Sequence, residues 1–229
     1  MADRLSGIHH IAMMSADIKK HIDFFCDVMG CKLSALFHMH GVPGGLHAFL
    51  ELNEHCYFSI VQLDEAKSVK IELGKTHSGT GANASAPGTM QHLAFNVDSL
   101  DDLLAMRDRL RSKGLNVMGP MDHGMCHSIY FAGPDQMTLE IATSQEAVNQ
   151  EEWIDPEVVG LAGINEEELA RYKNPAPYDG PSPVAQPDPD PAMPHMAYPE
   201  EMYTAMMGMP DEAILEMSKQ FSEPPVKSA

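Results

Sequence analysis

The chain has 229 residues, 44% of them hydrophobic and 21% charged, so it is long enough for one large or two small globular domains. Its formal net charge of −18 and the lack of any Lys/Arg run exclude a nucleic-acid-binding protein, because phosphate contacts require basic clusters. The sequence has no apolar run of about 18 residues and no apolar signal core at its N-terminus, which predicts a cytoplasmic protein without a membrane span.

The first half of the chain predicts one strand, one helix and three more strands. Ile8–Met14 reads as a strand, and the acidic segment Ser15-Ala16-Asp17 then caps a helix over Ile18–Met29 that ends at Gly30. Three apolar runs predict the remaining strands: Cys31–Leu36, Leu46–Leu52 and Cys56–Leu63.

The second half repeats this order after a linker over Gly74–Gly88 that is rich in Gly, Ser, Thr, Asn and Ala. Met90–Val97 predicts a strand, and Asp98-Ser99 precedes a helix over Leu100–Lys113 that stops at Gly114. Three strands follow: Leu115–Met118, His127–Phe131 and Thr138–Ala142. The sequence therefore predicts an α+β fold with two βαβββ modules, over about residues 6–73 and 88–144, which form a mixed-sheet half-barrel cavity.

Composition changes after residue 150, where thirteen of the seventeen prolines lie. We expect one domain over residues 1–146 and an extended Pro-rich C-terminal arm over residues 147–229. Short helices are predicted in this arm near Glu166–Tyr172 and over Pro199–Met209 or Asp211–Phe221.

Polar residues that bind metals interrupt apolar strands at matching places in the two modules. His10 and His92 occupy equivalent positions near the start of equivalent strands, while Gln62 and Glu140 lie near the end of each module. An acid within Thr-Leu-Glu-Ile-Ala is costly unless it is paired, hydrogen-bonded or bound to a metal. Two imidazoles and one carboxylate form the facial triad of non-haem Fe(II) sites and also suit Mn, Ni, Co or Zn. The pattern predicts one divalent metal ion at His10, His92 and Glu140.

Three segments carry a resemblance to a known superfamily: GIHHIAMMSADIKKHIDFFCDVMGCKL, QHLAFNVDSLDDLLAMRDRLRSKGLNV and SIYFAGPDQMTLEIA. They resemble the vicinal oxygen chelate superfamily, which contains glyoxalase I, extradiol ring-cleaving dioxygenases, fosfomycin-resistance enzymes and bleomycin-binding proteins. The resemblance covers about residues 6–144. It implies metal positions at His10, Gln62, His92 and Glu140. The usual Asp-Pro-Asp-Gly-Asn turn is replaced by Gly133-Pro134-Asp135-Gln136-Met137.

The resemblance implies an enzyme that binds a small substrate through adjacent oxygens, and an extradiol-type dioxygenase using Fe(II) is the favoured reaction. In that group a Tyr ten residues before the Glu assists the substrate hydroxyl, which here is Tyr130, and a nearby histidine acts as acid and base. His123 or His127 would supply that histidine, although neither has the usual spacing. The resemblance also favours a homodimer.

Two other functions stay open at this point. In a glyoxalase-type lyase or isomerase, or an epimerase, Gln62 would be a fourth metal ligand and Glu140 the base. In a drug-sequestering protein the acidic charge would suit a cationic ligand, but such a module needs no metal triad.

Overall fold

The computed structural model describes residues 5–190 and 192–227. Two four-stranded sheets form its centre, one from each predicted module. The first sheet contains β1 (His10–Ser15), β2 (Lys32–His38), β3 (Leu46–Asn53) and β4 (Cys56–Gln62). The second contains β5 (Leu93–Val97), β6 (Met118–Asp122), β7 (His127–Ala132) and β8 (Thr138–Thr143).

Both sheets have the same topology. The strand orders are β1-β4-β3-β2 and β5-β8-β7-β6, with the first strand of each module parallel to the last and the other pairs antiparallel. Neither sheet closes on itself. The predicted α+β class with two βαβββ modules is therefore confirmed.

Each module has one main helix. The first, α1 (Ile18–Asp23), begins where the Asp17 side chain accepts a hydrogen bond from the Lys20 N–H, and it continues as a π-helical segment over Phe24–Met29. That segment ends at Gly30, whose φ of 90° is in the left-handed region. The second, α2 (Leu100–Ser112), begins where the Ser99 side chain accepts from the Asp102 N–H.

One apolar core is shared by the helix-facing sides of both sheets. Its centre is a triangle of aromatic rings in which Phe25 lies 4.3 Å from Phe58 and 6.1 Å from Phe95 between ring centroids. Leu103 and Leu110 of α2 are fully buried in the same core. Because one core holds side chains from both modules, the two modules stabilise each other.

Polar contacts also connect the modules. The Arg109 guanidinium on α2 donates to the carbonyl of Val28 at 2.6 Å and packs against Gly30, where a Cβ would lie 3.0 Å from the guanidinium carbon. The Asp135 carboxylate, in the turn before β8, accepts from the Ala16 N–H at 3.2 Å. Side chains of module two thus contact module one at the end of the π-helical segment and just after β1.

Two strands of the second module begin later than expected. The strand expected over Leu115–Met118 begins only at Met118, because the Arg111 side chain donates to the carbonyl of Val117 at 2.9 Å and takes that carbonyl out of strand pairing. The strand expected from Met90 begins at Leu93.

Five short helices follow the second sheet: α3 (Gln150–Trp153), α4 (Pro156–Leu161), α5 (Glu166–Lys173), α6 (Glu200–Met207) and α7 (Asp211–Ser218). The sequence predicted α5 and one helix at the position of either α6 or α7; the structure has both, and α3 and α4 were not predicted. The described chain divides into two compact units at residues 175/176, so α3 to α5 belong to the unit that contains both sheets. Among the described residues, no helix combines the length and apolarity that a membrane span requires.

Candidate functional site

Strand register brings His92 and Glu140 together. β5 runs parallel to β8 with Ala94 opposite Glu140, and His92 lies two residues before Ala94, on the same face of the sheet. The His92 Nε2 atom lies 2.8 Å from Glu140 Oε2. Only 6% of Glu140 is exposed, so its carboxylate needs partners that replace water.

Tyr130 and His123 extend this pair into a chain of polar side chains. Tyr130, opposite Glu140 on the neighbouring strand β7, donates its hydroxyl proton to Glu140 Oε1 at 3.0 Å. The His123 Nε2 atom lies 3.0 Å from the same hydroxyl. Burial, followed by the hydrogen bond to Glu140 and the charge of Glu140, raises the pKa of Tyr130, so this phenol keeps its proton at neutral pH.

A pocket of about 630 Å³ opens beside this chain of side chains. His92, His123 and Tyr130 line one part of it, and much of the remaining wall is apolar. The apolar residues are Leu73, Met118, Met121, Phe131 and Met137. A cavity of this size with a few converging polar groups is typical of a small-molecule site.

The loop between the modules and the segment after β8 both support the pocket. The backbone of Gly79–Ala82 forms part of the pocket wall. Trp153 on α3 packs against Gly124, next to His123, where an added Cβ would lie 2.8 Å from the indole ring. From the sequence, no chemical role was assigned to the region beyond the second sheet, and this contact shows that Trp153 supports the turn that carries His123.

His10 lies on the first sheet among aromatic side chains. It is exposed, its Nδ1 atom is 2.9 Å from His9 Nδ1, and its ring centroid lies 5.4 Å from that of Phe49. His47 packs on the same Phe49 ring at 4.6 Å, and burial together with the nearby charges of His10 and His40 lowers the pKa of His47. Within the described residues, no group of three or more His, Cys, Asp or Glu side chains is arranged to hold one metal ion. A single chain therefore brings His92 and Glu140 together without His10.

Gln62 faces away from the side of the sheet that carries His10. β1 pairs with β4 so that His10 is opposite Tyr57, Ala12 opposite Ser59 and Ser15 opposite Gln62. Since side chains alternate, Gln62 lies on the helix-facing side, where its Oε1 atom accepts from the Ile18 N–H at 2.7 Å. Its place in the structure is at the N-terminus of α1, and the structure does not bring it to His92 or Glu140.

Ser59 is the position in the first module that corresponds to Glu140. Ala12 is opposite Ser59 just as Ala94 is opposite Glu140. Ser59 is fully buried, and its hydroxyl lies 2.5 Å from His47 Nε2. Sequence reasoning missed this equivalence because Gln62 is the more conspicuous polar residue and the register of β1 against β4 was not known.

His127 does not join the polar chain around Glu140. It lies three residues before Tyr130 on β7, and therefore on the opposite face of the strand. Its Nε2 atom is 3.8 Å from Asp122 Oδ2. Of the two histidines predicted for acid–base chemistry, the structure places His123 at the site.

The donor atoms at His92 and Glu140 fit a divalent metal ion. An imidazole nitrogen and a carboxylate oxygen meet in a largely buried position, and both are ligands that suit Fe, Mn, Co, Ni or Zn. The second ring nitrogen of His92 is held by the side-chain oxygen of Gln91, as the outer nitrogen of a metal-bound histidine usually is. Gln91 is a second residue that sequence reasoning missed, since a Gln beside a His carries no signal by itself.

We compared the sequence and the fold of the chain with those of known proteins. The chain is 26% identical over 132 residues to biphenyl-2,3-diol 1,2-dioxygenase 2 of Rhodococcus globerulus, covering 58% of this chain and 60% of that protein. It is 27% identical over 107 residues to biphenyl-2,3-diol 1,2-dioxygenase 3 of the same organism, covering 47% of this chain and 55% of that protein. The chain thus spans somewhat more than half the length of these relatives.

A solved structure from Frankia sp. EAN1pec, a glyoxylase/bleomycin resistance protein/dioxygenase domain, aligns with a TM-score of 0.48 at 16% identity, covering 61% of this chain and 98% of that one. The model of the Glyoxalase/Bleomycin resistance protein/Dioxygenase superfamily matches residues 7–141, which is more than half of the chain and includes both sheets. The chain belongs to the Glyoxalase/Bleomycin resistance protein/Dioxygenase superfamily.

Proposed function

We propose that this protein is a metal-dependent ring-cleaving dioxygenase of the extradiol type, acting on a small aromatic diol. The observation that carries the proposal is the Tyr130 hydroxyl, which contacts Glu140 and His123 beside His92. His92, His123 and Tyr130 line the pocket, and Glu140 lies directly behind them, in contact with His92 and Tyr130. This arrangement supports a proton donor, an acid–base histidine and two metal donors at one site. The names of the two Rhodococcus relatives support the same chemistry.

His92 and Glu140 would hold the metal together with a third donor, and we assign that donor to His10 of a second copy of this chain. His10 occupies the position in module one that His92 occupies in module two, but lies on a sheet whose residues do not line the pocket. A symmetric dimer in which the first sheet of one copy covers the second sheet of the other would complete two equal sites. The aromatic residues around His10 would then close the pocket.

When bound, a divalent metal, with Fe(II) favoured, would supply a Lewis acid for both diol oxygens and a redox centre for O₂. Tyr130 would form a hydrogen bond to a substrate hydroxyl, because its raised pKa keeps it a donor. His123, which contacts Tyr130 on its other side, would take the proton released from the substrate and return it to the product. The apolar pocket residues would bind the aromatic ring and exclude water.

The register favours this three-donor site over a four-ligand glyoxalase site. The position equivalent to Glu140 is Ser59, whose neutral hydroxyl is a weak ligand, and Gln62 uses its side-chain oxygen to cap α1. A lyase or isomerase of the glyoxalase type would need one of these two residues at the metal.

The experiment is oxygen uptake by the Fe(II)-loaded protein with a panel of catechols and biphenyl diols. We expect substrate-dependent uptake of one O₂ per diol consumed, and no uptake by Glu140→Ala under the same conditions. Absence of uptake with every diol, together with turnover of a hemithioacetal in the presence of Ni(II) or Zn(II), would replace the dioxygenase by a glyoxalase-type lyase.

A further inference from the structure

Gln91 is attached to the pocket loop by its side chain and by its backbone. The Gln91 Nε2 atom donates to the carbonyl oxygens of Thr80 at 3.1 Å and Asn83 at 3.2 Å. The Ser78 hydroxyl, which is almost fully buried, donates to the Gln91 carbonyl. Since two carbonyls occupy the two N–H donors of the amide, the amide orientation is fixed and its oxygen points to His92 Nδ1.

This orientation determines which nitrogen of His92 carries the proton. Gln91 Oε1 is an acceptor only, so His92 Nδ1 must be the donor in their hydrogen bond. In the neutral imidazole the proton is then on Nδ1, and the lone pair is on Nε2, which faces Glu140 Oε2 at 2.8 Å. A cation at Nε2 satisfies both this lone pair and the carboxylate, whereas the other tautomer would leave Nε2 unable to bind a metal.

We propose that Gln91 is a positioning residue that fixes the metal-binding tautomer of His92 and connects it to the pocket loop Gly79–Ala82. This inference rests on the proposed function, because it assigns Gln91 to the same metal site. The connection has a consequence for substrate binding: a ligand that moves the Thr80 backbone also moves the amide that orients His92. An outer hydrogen bond of this kind typically changes metal affinity by about 10- to 100-fold.

Three variants separate positioning from simple support of the fold. Gln91→Leu removes the acceptor at His92 and both donors to the loop. Gln91→Glu keeps an oxygen acceptor for His92 Nδ1 but cannot donate to the Thr80 and Asn83 carbonyls. Ser78→Ala removes the hydrogen bond to the backbone carbonyl of residue 91 and a 3.5 Å contact with the Thr138 hydroxyl, and it leaves the contact with His92 intact, so it is the matched control for loosening of the loop.

The primary measurement is the ¹⁵N chemical shift of the His92 ring nitrogens in the metal-free protein at alkaline pH, where the imidazole is neutral, in a Glu140→Ala background that removes the carboxylate competing for a proton on Nε2. In that background we expect an Nδ1–H tautomer with Gln91 unchanged, in Gln91→Glu and in Ser78→Ala, and its loss in Gln91→Leu. The wild type and the three variants, each with Glu140 intact, are titrated with Co(II) alone, and we expect affinity to fall by about 10- to 100-fold only in Gln91→Leu.

In the Glu140→Ala background, an Nε2–H tautomer with Gln91 unchanged, or an unchanged Nδ1–H tautomer in Gln91→Leu, would overturn the role of Gln91 whether or not metal binds. Failure of the wild type to bind Co(II) would instead overturn the metal site on which the proposed function depends. The two failures are therefore distinguishable, because the tautomer and the metal affinity are measured on separate samples.

Discussion

The two modules share one topology but differ in the side chains on their exposed sheet faces. In the second module, Glu140 stands opposite Ala94 and is joined by Tyr130 and His123 at a pocket. In the first module, Ser59 stands opposite Ala12, and the surrounding positions carry Phe37, His47, Phe49 and Tyr57. The repeated fold thus supplies equivalent positions in the two modules, and different residues at those positions give the two sheet faces different chemical properties.

This difference between the two sheet faces shows how a duplicated βαβββ unit can hold only one kind of site. In the proposed site, the second module would supply an acidic metal donor and the proton-handling residues, and the first would supply His10 from an aromatic surface. If these surfaces meet only between two copies, neither module is sufficient alone. The following predictions test whether the two modules contribute different residues to one shared site.

The largest expected effect comes from mixing two inactive variants. His10→Ala and Glu140→Ala should each lose all oxygen uptake, because each lacks one metal ligand. A heterodimer of the two contains one site with both defects and one intact site, so we expect about half of the wild-type activity per dimer. Co-expression with two different tags and sequential affinity purification isolates this heterodimer for the oxygen-uptake assay.

The control is the mixture of His92→Ala with Glu140→Ala. Both residues lie in the second module, so every site in this heterodimer carries a defect and should be inactive. Equal inactivity of the His10→Ala/Glu140→Ala heterodimer would show that the site is not shared between copies.

The next largest effect concerns the shared core. Phe25→Ala removes the aromatic ring that lies between Phe58 and Phe95, and we expect the free energy of unfolding to fall by about 3–5 kcal/mol. Because the core contains both modules, both should still unfold in one transition, measured by denaturant titration of the whole chain. Separate transitions for module one and module two in the wild type, distinguished by a probe in each sheet, would contradict a common core; a transition of the segment after residue 175 would not.

A smaller effect is expected from Tyr130→Phe, which removes the hydroxyl between Glu140 and His123 and leaves the ring in place. We expect kcat to fall on the order of 100-fold, as is typical when a proton-handling group is lost, with metal content unchanged. Tyr172→Phe removes a hydroxyl on the exposed helix α5 and should leave kcat unaltered. Loss of metal in Tyr130→Phe would assign the tyrosine a structural role instead.

The smallest effect is the pH dependence of stability contributed by His21. This ring is fully buried on α1, its Nε2 atom has no hydrogen-bond partner, and burial lowers its pKa. As the pH falls, the unfolded chain therefore takes up a proton on His21 before the folded chain does. The contribution of His21 to the free energy of unfolding is fully present above the ordinary histidine pKa of about 6.5 and declines between that value and the lowered pKa.

The corresponding measurement is the free energy of unfolding between pH 7.5 and 5, in wild type and in His21→Gln. The variant should show a shallower decline over this interval. An identical decline in both proteins would show that other groups determine the pH dependence.

Local signals in the sequence predicted the order of strands and helices well. Ser99 and Asp17 cap helices through hydrogen bonds that span only three residues, and Gly30 ends its helix through its own backbone conformation. The matching positions of His10 and His92 were visible from the repeat for the same reason. The pairing of His92 with Glu140 followed once the two strands were recognised.

Features that depend on pairing between distant strands were not predictable in this way. Gln62 and Ser59 differ by three residues, which places them on opposite faces, and only the register of β1 against β4 shows which one corresponds to Glu140. The orientation of Gln91 depends on two carbonyls in a loop eight and eleven residues away. Helices α3 and α4 lie in an acidic segment whose apolar residues are too few to give a periodic pattern.

The most direct test of the central claim is the metal content of wild type, Glu140→Ala and Ser59→Ala after anaerobic loading with Fe(II) and removal of excess metal. We expect about one ion per chain in the wild type and in Ser59→Ala, and almost none in Glu140→Ala, because the proposed carboxylate donor, Glu140, belongs to the second module. Equal metal content in all three proteins would contradict a metal site at Glu140.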